Sequence, residues 1–341
     1  MSKVINVAIL GATGLVGETL LTVLEERKFP VGELFPLASE RSAGKTVTFK
    51  GRSIRALNAA NFDFKRAQIG LFSAGGDVSA KYAPIAAAAG CIVVDNTSHF
   101  RYDDDIPLVV PEVNAHAIAQ YKARGIIANP NCSTIQMVVA LGPIHDAVGI
   151  ERINVATYQS VSGAGRQAVE ELADQTAKLL NGRPIEPPTK MPKQIAFNCI
   201  PQIDKFMDNG YTKEEMKMHW ETQKIFGDSN IKVNATAVRV PVFYGHSEVV
   251  HIETRRKISA AEARALLEKA PGVVVIDERV PGGYPTAVTE AANHDTVYVG
   301  RIREDMSHDR GLDLWIVADN IRKGAASNAV QIAEVLAREY L

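Results

Sequence analysis

Four side chains in this sequence are of types that could carry out covalent chemistry together. Cys132 lies in I-I-A-N-P-N-C-S-T-I-Q-M-V-V-A-L, residues 126–141, where one apolar run breaks at Asn129-Pro130 and another begins. Proline restrains the residue before it, so a strand is expected to end there and a helix to start beside the cysteine. Free amides and the macrodipole at a helix start stabilise a thiolate, which suits a nucleophile. The competing reading of a free cysteine is a small buried hydrophobe, and the stretch alone leaves both open. Gln159 shares a strand face with Ile153, Val155 and Thr157, and an amide on such a face needs a polar partner. Arg239, inside an apolar strand, is costly unless paired, and a substrate carboxylate would pair it. His246 follows Gly245 at a strand start and could act as an acid/base or be a hydrogen-bonded structural residue.

A second group of residues suits a nucleotide. G-A-T-G-L-V-G, Gly11 to Gly17, follows an apolar strand and opens a helix, where tight turns and free amides can receive a pyrophosphate. The spacing is G-x-x-G-x-x-G, a partial fit to the dinucleotide fingerprint. After the second strand, Glu40 is flanked by Ser39, Arg41, Ser42 and Lys45. Hydroxyls with a guanidinium suit a 2′-phosphate, which favours NADP over NAD; the alternative is a solvated basic turn. S-A-G-G, Ser73 to Gly76, and S-G-A-G, Ser162 to Gly165, are places where backbone could pass a cofactor. Glu214 and Lys217, three apart on a helical stretch, read as a surface ion pair, and Arg101 is ambiguous alone.

The elements that must position these groups fall into two patterns. Up to about residue 131, short β-branched strands alternate with helices, as at Val4–Leu10, Val16–Arg27, Ile69–Phe72 and Val78–Ala89. That is an α/β arrangement, a parallel sheet covered on both faces. After Cys132 come a helix to Val148, a strand over 153–161, an amphipathic helix over 166–180, a Pro- and Lys-rich surface excursion over 181–201, and five longer strands between 232 and 318. This is a mixed or antiparallel α+β domain. The last helical segment, Gly324 to Tyr340, could pack back on the first domain. The expected division is 1–131 plus 320–341, and 132–319.

With 341 residues and a net charge of −1, the chain offers no electrostatic case for nucleic acid or an anionic membrane. Cys91, Cys132 and Cys199 are odd in number and widely spaced, against a disulfide framework or a structural zinc site. The start reads as a strand, not a signal peptide, and no run reaches the ~18 apolar residues of a membrane span. A reduced, cytoplasmic setting without metal is expected.

Taken together, these motifs resemble the bacterial aspartate-β-semialdehyde dehydrogenase family over essentially the whole chain. G-A-T-G-L-V-G, S-E-R-S-A-G-K, S-H-F-R, N-P-N-C-S-T, Q-S-V-S-G-A-G, E-E-M-K, R-V-P-V-F-Y-G-H and D-N-I-R-K-G-A-A occur in the expected order. The resemblance implies a Rossmann-type NADP domain and an α+β catalytic and dimerisation domain, hence a homodimer. It implies NADPH-dependent reductive dephosphorylation of L-4-aspartyl phosphate to the semialdehyde, in lysine/diaminopimelate, threonine, methionine and isoleucine biosynthesis. Cys132 would form an acyl thioester, Gln159 orient the acyl group and His246 serve as acid/base. Arg239 would hold the α-carboxylate, Glu214 the α-amino group, and Arg101 and Lys217 the phosphate, with Asn131 close by. Gly11, Thr13, Gly14, Leu15, Val16, Ser39, Arg41, Ser42, Ser73, Gly75, Ser162, Gly163 and Asn320 would contact NADP. The alternatives are reductases of N-acetylglutamyl phosphate or glyceraldehyde phosphate, whose substrates need no carboxylate for an amine, and a nucleotide-sensing paralogue.

Overall fold

The computed structural model describes residues 4–341 and divides into two compact units. The first runs up to Asn131 and takes in Ala325–Leu341; the second is Cys132–Gly324.

In the first unit, β1 (Ile5–Leu10) leads through α1 (Leu15–Glu26) to β2 (Val31–Ala38). A hairpin of β3 (Thr46–Phe49) and β4 (Arg52–Arg55) follows, then β5 (Leu57–Asn58), β6 (Ile69–Phe72), α2 (Gly76–Ala88), β7 (Ile92–Asp95), the short α3 (Pro111–Asn114) and β8 (Ile126–Ala128). The sheet order is β5-β2-β1-β6-β7-β8, parallel throughout. Its strands are apolar because helices cover both faces: β6 and β7 are buried at every position. The connections change direction between β1 and β6, which opens a crevice at the strands' carboxyl ends. The glycine motif is a packing requirement as well. A Cβ on Gly17 would lie 2.2 Å from the Gly11 carbonyl oxygen, so α1 can sit against the turn only with glycine there.

The second unit opens with α4 (Cys132–Val148), followed by β9 (Ile150–Gln159), α5 (Arg166–Leu180), α6 (Lys213–Phe226), β10 (Lys232–Arg239), β11 (His246–Thr254), α7 (Ala260–Leu267), β12 (Val273–Val275), β13 (Val297–Glu304) and β14 (Gly311–Ala318). The sheet order is β10-β9-β11-β14-β13-β12, parallel at its two outer pairs and antiparallel between. α4 is buried nearly all round, as a helix without a polar face must be, and packs with α6 and α7. It contacts β9, β11, β13 and β14. Thr212 and Glu215 form a capping box at the start of α6, and the Glu215 carboxylate also accepts the Ala237 N–H of β10. That double tie aims Glu214 and Lys217 inward.

The excursion after α5 is more anchored than its composition suggests. Met191, Ile195, Ala196 and Ile200 pack with Ala168 and Leu172 of α5, and Ile200 pairs with Arg239 through two backbone hydrogen bonds. The hairpin β3–β4 is not evident in the sequence. Its turn is Lys50-Gly51, both at positive φ, a weaker signal than Asn-Gly. The closing helix α8 (Ser327–Glu339) joins the core of the first unit through Ala329, Val330, Ile332, Ala333 and Leu336.

Candidate active site

The chemistry of the second unit collects at one end of its sheet. Gln159 and Arg239, the last residues of β9 and β10, are register partners, and β11 begins at His246. All three are buried. The Arg239 guanidinium donates from Nη1 to the Ser160 carbonyl at 2.7 Å. Burial pulls its pKa down, opposed by the electrostatic influence of Glu214 and Cys132. The Gln159 amide is oriented from both sides: Thr157 Oγ1 donates to its oxygen at 3.0 Å, and its Nε2 donates to Glu214 Oε1 at 3.1 Å. Glu214 Oε2 accepts from Lys217 Nζ at 2.8 Å, and Lys217 also donates to Asp204 Oδ2 at 2.9 Å. This is not the surface ion pair that the spacing suggests: the Glu214 and Lys217 side chains are only 7% and 12% exposed. Burial alone would strip the Lys217 charge, but the two carboxylates outweigh it and hold the ammonium above the ordinary lysine range.

His246 is fully buried. The Ser160 N–H donates to its Nδ1 at 3.1 Å, Ser160 Oγ lies 3.1 Å from the same atom, and Nε2 lies 3.3 Å from Gln159 Nε2. Burial, then the Arg239 charge, push its pKa down to about 3, over the opposing pull of Glu214 and the Gly245 carbonyl. The ring is neutral at physiological pH. Asn320 ties three strand ends together. Its Oδ1 accepts from the Gly245 N–H at 3.0 Å and from Ser160 Oγ at 3.0 Å, and its Nδ2 donates to Ser162 Oγ at 3.0 Å. Gly163 borders the same space: a Cβ there would stand 3.1 Å from Arg239 Nη1 and 3.4 Å from His246 Nε2.

Cys132 is the first residue of α4 and is partly exposed, unlike the inert Cys91, whose thiol burial pushes up to about 12. Its position is set by Gly324, where a Cβ would lie 2.6 Å from the Cys132 Cβ. The turn that brings Gly324 there is clamped by Asp319, whose carboxylate accepts from the Ile321, Arg322 and Asn293 amides and whose carbonyl accepts from Gly324. Ser160, Asp204, Asp319 and Gly324 were not singled out from sequence. Three are ordinary polar residues at loop or strand ends, and only Gly324, inside a helical-looking run, carried a signal.

In the first unit, Gly11, Thr13, Gly14, Ser39, Ser42 and Ser73 line a cleft of roughly 650 Å³ at the carboxyl ends of β1, β2 and β6. Leu15 and Val16 form the first turn of α1, and Gly75 precedes α2 at φ +100°. Arg41 is exposed beside Ser42 and is not among the lining residues, whereas Glu40 and Lys81 are. Arg101 is buried, donates to the Asn96 carbonyl at 2.8 Å and lies near the Asp95 carboxylate. Asn131 is buried, and Ser162, Gly163 and Asn320 belong to the second unit. Among the described residues no cluster of His, Cys, Asp or Glu is arranged to hold a metal, and no helix is long and apolar enough to cross a membrane.

A nucleotide cleft in one unit and a cysteine-centred cluster in the other define a class of oxidoreductase. Residues 6–121 match the model of the semialdehyde dehydrogenase NAD binding domain, and residues 141–323 match that of the semialdehyde dehydrogenase dimerisation domain. Over 340 residues, and 100% of both chains, the sequence is 64% identical to an aspartate-semialdehyde dehydrogenase of Shewanella sp. (strain DB6705) and 65% identical to aspartate-semialdehyde dehydrogenase 2 of Vibrio cholerae. The fold matches a crystal structure of Vibrio cholerae aspartate semialdehyde dehydrogenase II complexed with ASA, with a TM-score of 0.97 and 64% identity over 100% of both chains. It also matches the Candida albicans enzyme solved with NADP, with a TM-score of 0.75 and 25% identity over 98% of both chains. The chain belongs to the semialdehyde dehydrogenase family, alongside these aspartate-semialdehyde dehydrogenases.

Proposed function

We propose that the protein reduces L-4-aspartyl phosphate to L-aspartate 4-semialdehyde with NADPH, reversibly, through an acyl thioester on Cys132. The carrying observation is the buried cluster of Arg239, Glu214, Gln159 and His246 at one sheet end of the unit that Cys132 opens. The substrate has an α-carboxylate, an ammonium and an acyl phosphate. Arg239 is a guanidinium without a carboxylate ion pair among the described contacts, and it is suited to the α-carboxylate. Glu214 takes the ammonium, and Lys217 with Arg101 takes the phosphate. Asn131 adjoins the nucleophile in sequence.

The thiolate attacks the acyl carbon and phosphate leaves with the electrons of the C–O bond. A thioester accepts hydride more readily than a carboxylate, which is the value of the covalent stage. Bound NADPH supplies that hydride. The carbonyl oxygen becomes an oxyanion, C=O reforms, the C–S bond breaks and the thiolate returns. The first-unit cleft fits the cofactor: small residues border it at the start of α1, and the Ser39 and Ser42 hydroxyls, with Arg41 adjacent, suit a 2′-phosphate.

The homodimer assigned to the second unit is formed through the face of its sheet opposite α4, where Tyr158 and Trp315 are 5.9 Å apart. The proposed setting is the cytoplasm, in keeping with three free cysteines.

The amine is what separates this substrate from N-acetylglutamate semialdehyde and glyceraldehyde phosphate. In the phosphate-dependent oxidative direction, wild type should turn over aspartate semialdehyde at least ~10²-fold better than either. Glu214→Ala should raise KM for it more than it lowers kcat. An unchanged KM, or a preference for the acetylated aldehyde, removes the assignment.

A further inference from the structure

We propose that Glu248 is a positioning residue for the reaction: paired with the Gln136 side chain, it ties β11, which begins at His246, to α4, which begins at Cys132. This rests on the reading of Cys132 as nucleophile above. Glu248 lies two residues after His246 on the same face of β11, and both are fully buried. Gln136 lies four residues after Cys132, one turn along the same face of α4, and is fully buried too. α4 packs on β11, and Glu248 lies beside Gln136 there. In an α-helix the Gln136 N–H is also the ladder partner of the Cys132 carbonyl. One residue thus meets the sheet through its side chain and the cysteine through its backbone.

Among the described residues, neither oxygen of Glu248 and neither polar atom of the Gln136 amide has a well-formed hydrogen bond, although all four are shut off from solvent. Buried polar groups in folded proteins are almost always paired. A carboxylic acid and a primary amide complement each other. The acid O–H donates to the amide oxygen, and the amide N–H donates to the acid carbonyl. That pairing uses all four atoms, and both groups end in soft terminal torsions, so it closes by rotation. A carboxylate would leave the amide oxygen facing a second acceptor. Burial, which raises the Glu248 pKa well above 4.5, favours the acid form.

Gly324 abuts the Cys132 Cβ at the start of α4. The Glu248–Gln136 pair holds the next turn of that helix against β11. The sulfur and the imidazole belong to different elements, and they keep their spacing only if those elements do. A misplacement of about 1 Å can cost about 10²-fold in rate, so one buried tie is enough to matter. A pair that merely stabilised the core would change melting and leave kcat alone.

The test compares the full-length wild type with Glu248→Gln, Glu248→Met, Gln136→Met and the double variant Glu248→Met/Gln136→Met. Glu248→Gln keeps a donor and an acceptor. The double variant replaces both partners by apolar chains of similar length. It orphans no polar group and should melt within a few degrees of wild type. Two rates are measured. One is alkylation of Cys132 by iodoacetamide, followed on its peptide by mass spectrometry. The other is kcat in the phosphate-dependent oxidation of aspartate semialdehyde. Glu248→Gln should stay within about twofold of wild type in both, whereas Glu248→Met, Gln136→Met and the double variant should each fall about tenfold. The double variant should lose no more than either single one, because the same tie is broken in each. KM for aspartate semialdehyde should change by less than about twofold, since the binding groups are untouched. A double variant with wild-type rates overturns the inference, as does a Glu248→Gln variant as impaired as Glu248→Met. If wild type shows no turnover, the substrate reading fails and the alkylation rates alone decide the role of Glu248.

Discussion

Two titratable side chains on one face of β11, His246 and Glu248, are fully buried, and burial shifts both toward their neutral forms. For His246 this follows from the site. Glu248 is different: it lies beside the Gln136 amide of α4 without a well-formed hydrogen bond, and its pKa is raised well above 4.5. Burial is the main cause. The folded chain keeps a proton that the unfolded chain releases near pH 4.5. This contribution is therefore fullest below that pH and is lost as pH rises toward the folded pKa. Glu248→Gln removes the ionisation and keeps the shape. In urea denaturation the variant should gain stability relative to wild type at pH 8, and little or none at pH 4. A difference that is constant with pH would show that Glu248 does not ionise on unfolding.

At the scale of elements, the place of the Cys132 sulfur depends on where α4 starts, and Gly324 fixes that from outside the helix. Gly324→Ala would force Cβ against the Cys132 Cβ, and either backbone must give way. The expected result is a fall of at least ~10-fold in the alkylation rate of Cys132 and in kcat. The melting temperature should drop by a few degrees, as for a strained contact of about 1–3 kcal/mol. Full activity would mean that Cys132 tolerates displacement. The elements themselves were largely legible. Strands such as Ile69–Phe72 and the helix Arg166–Leu180 announce themselves by apolar runs and 3.6-residue periodicity, and Cys132 by its place after Pro130. The side chains that orient the site were not. Ser160 acts through its amide and Asp204 through a loop at positive φ, and neither leaves a compositional mark. The burial of the Glu214–Lys217 pair depends on the capping box and its tie to β10, which spacing on one helix cannot convey.

For the whole molecule, the second sheet has one face under α4 and one bearing Tyr158, Val249 and Trp315. Beside Val249 and Trp315 is a hollow of about 300 Å³ that Tyr284 and Pro285 also line. In the proposed homodimer this face is covered by a second copy. Trp315→Asp should then sediment as a monomer at micromolar concentration where wild type is a dimer. A monomeric wild type, or an unaltered dimer in the variant, would place the contact elsewhere. In the proposed reaction, a thiolate at Cys132 joins cofactor reduction to phosphate transfer. Its most direct measurement is the appearance of reduced nicotinamide when the protein is given aspartate semialdehyde, inorganic phosphate and NADP⁺. Wild type should give a steady, phosphate-dependent signal, and Cys132→Ala should reduce it by at least ~10³-fold, as loss of a covalent nucleophile does. No signal from wild type, or an equal signal from the variant, would contradict this role of Cys132.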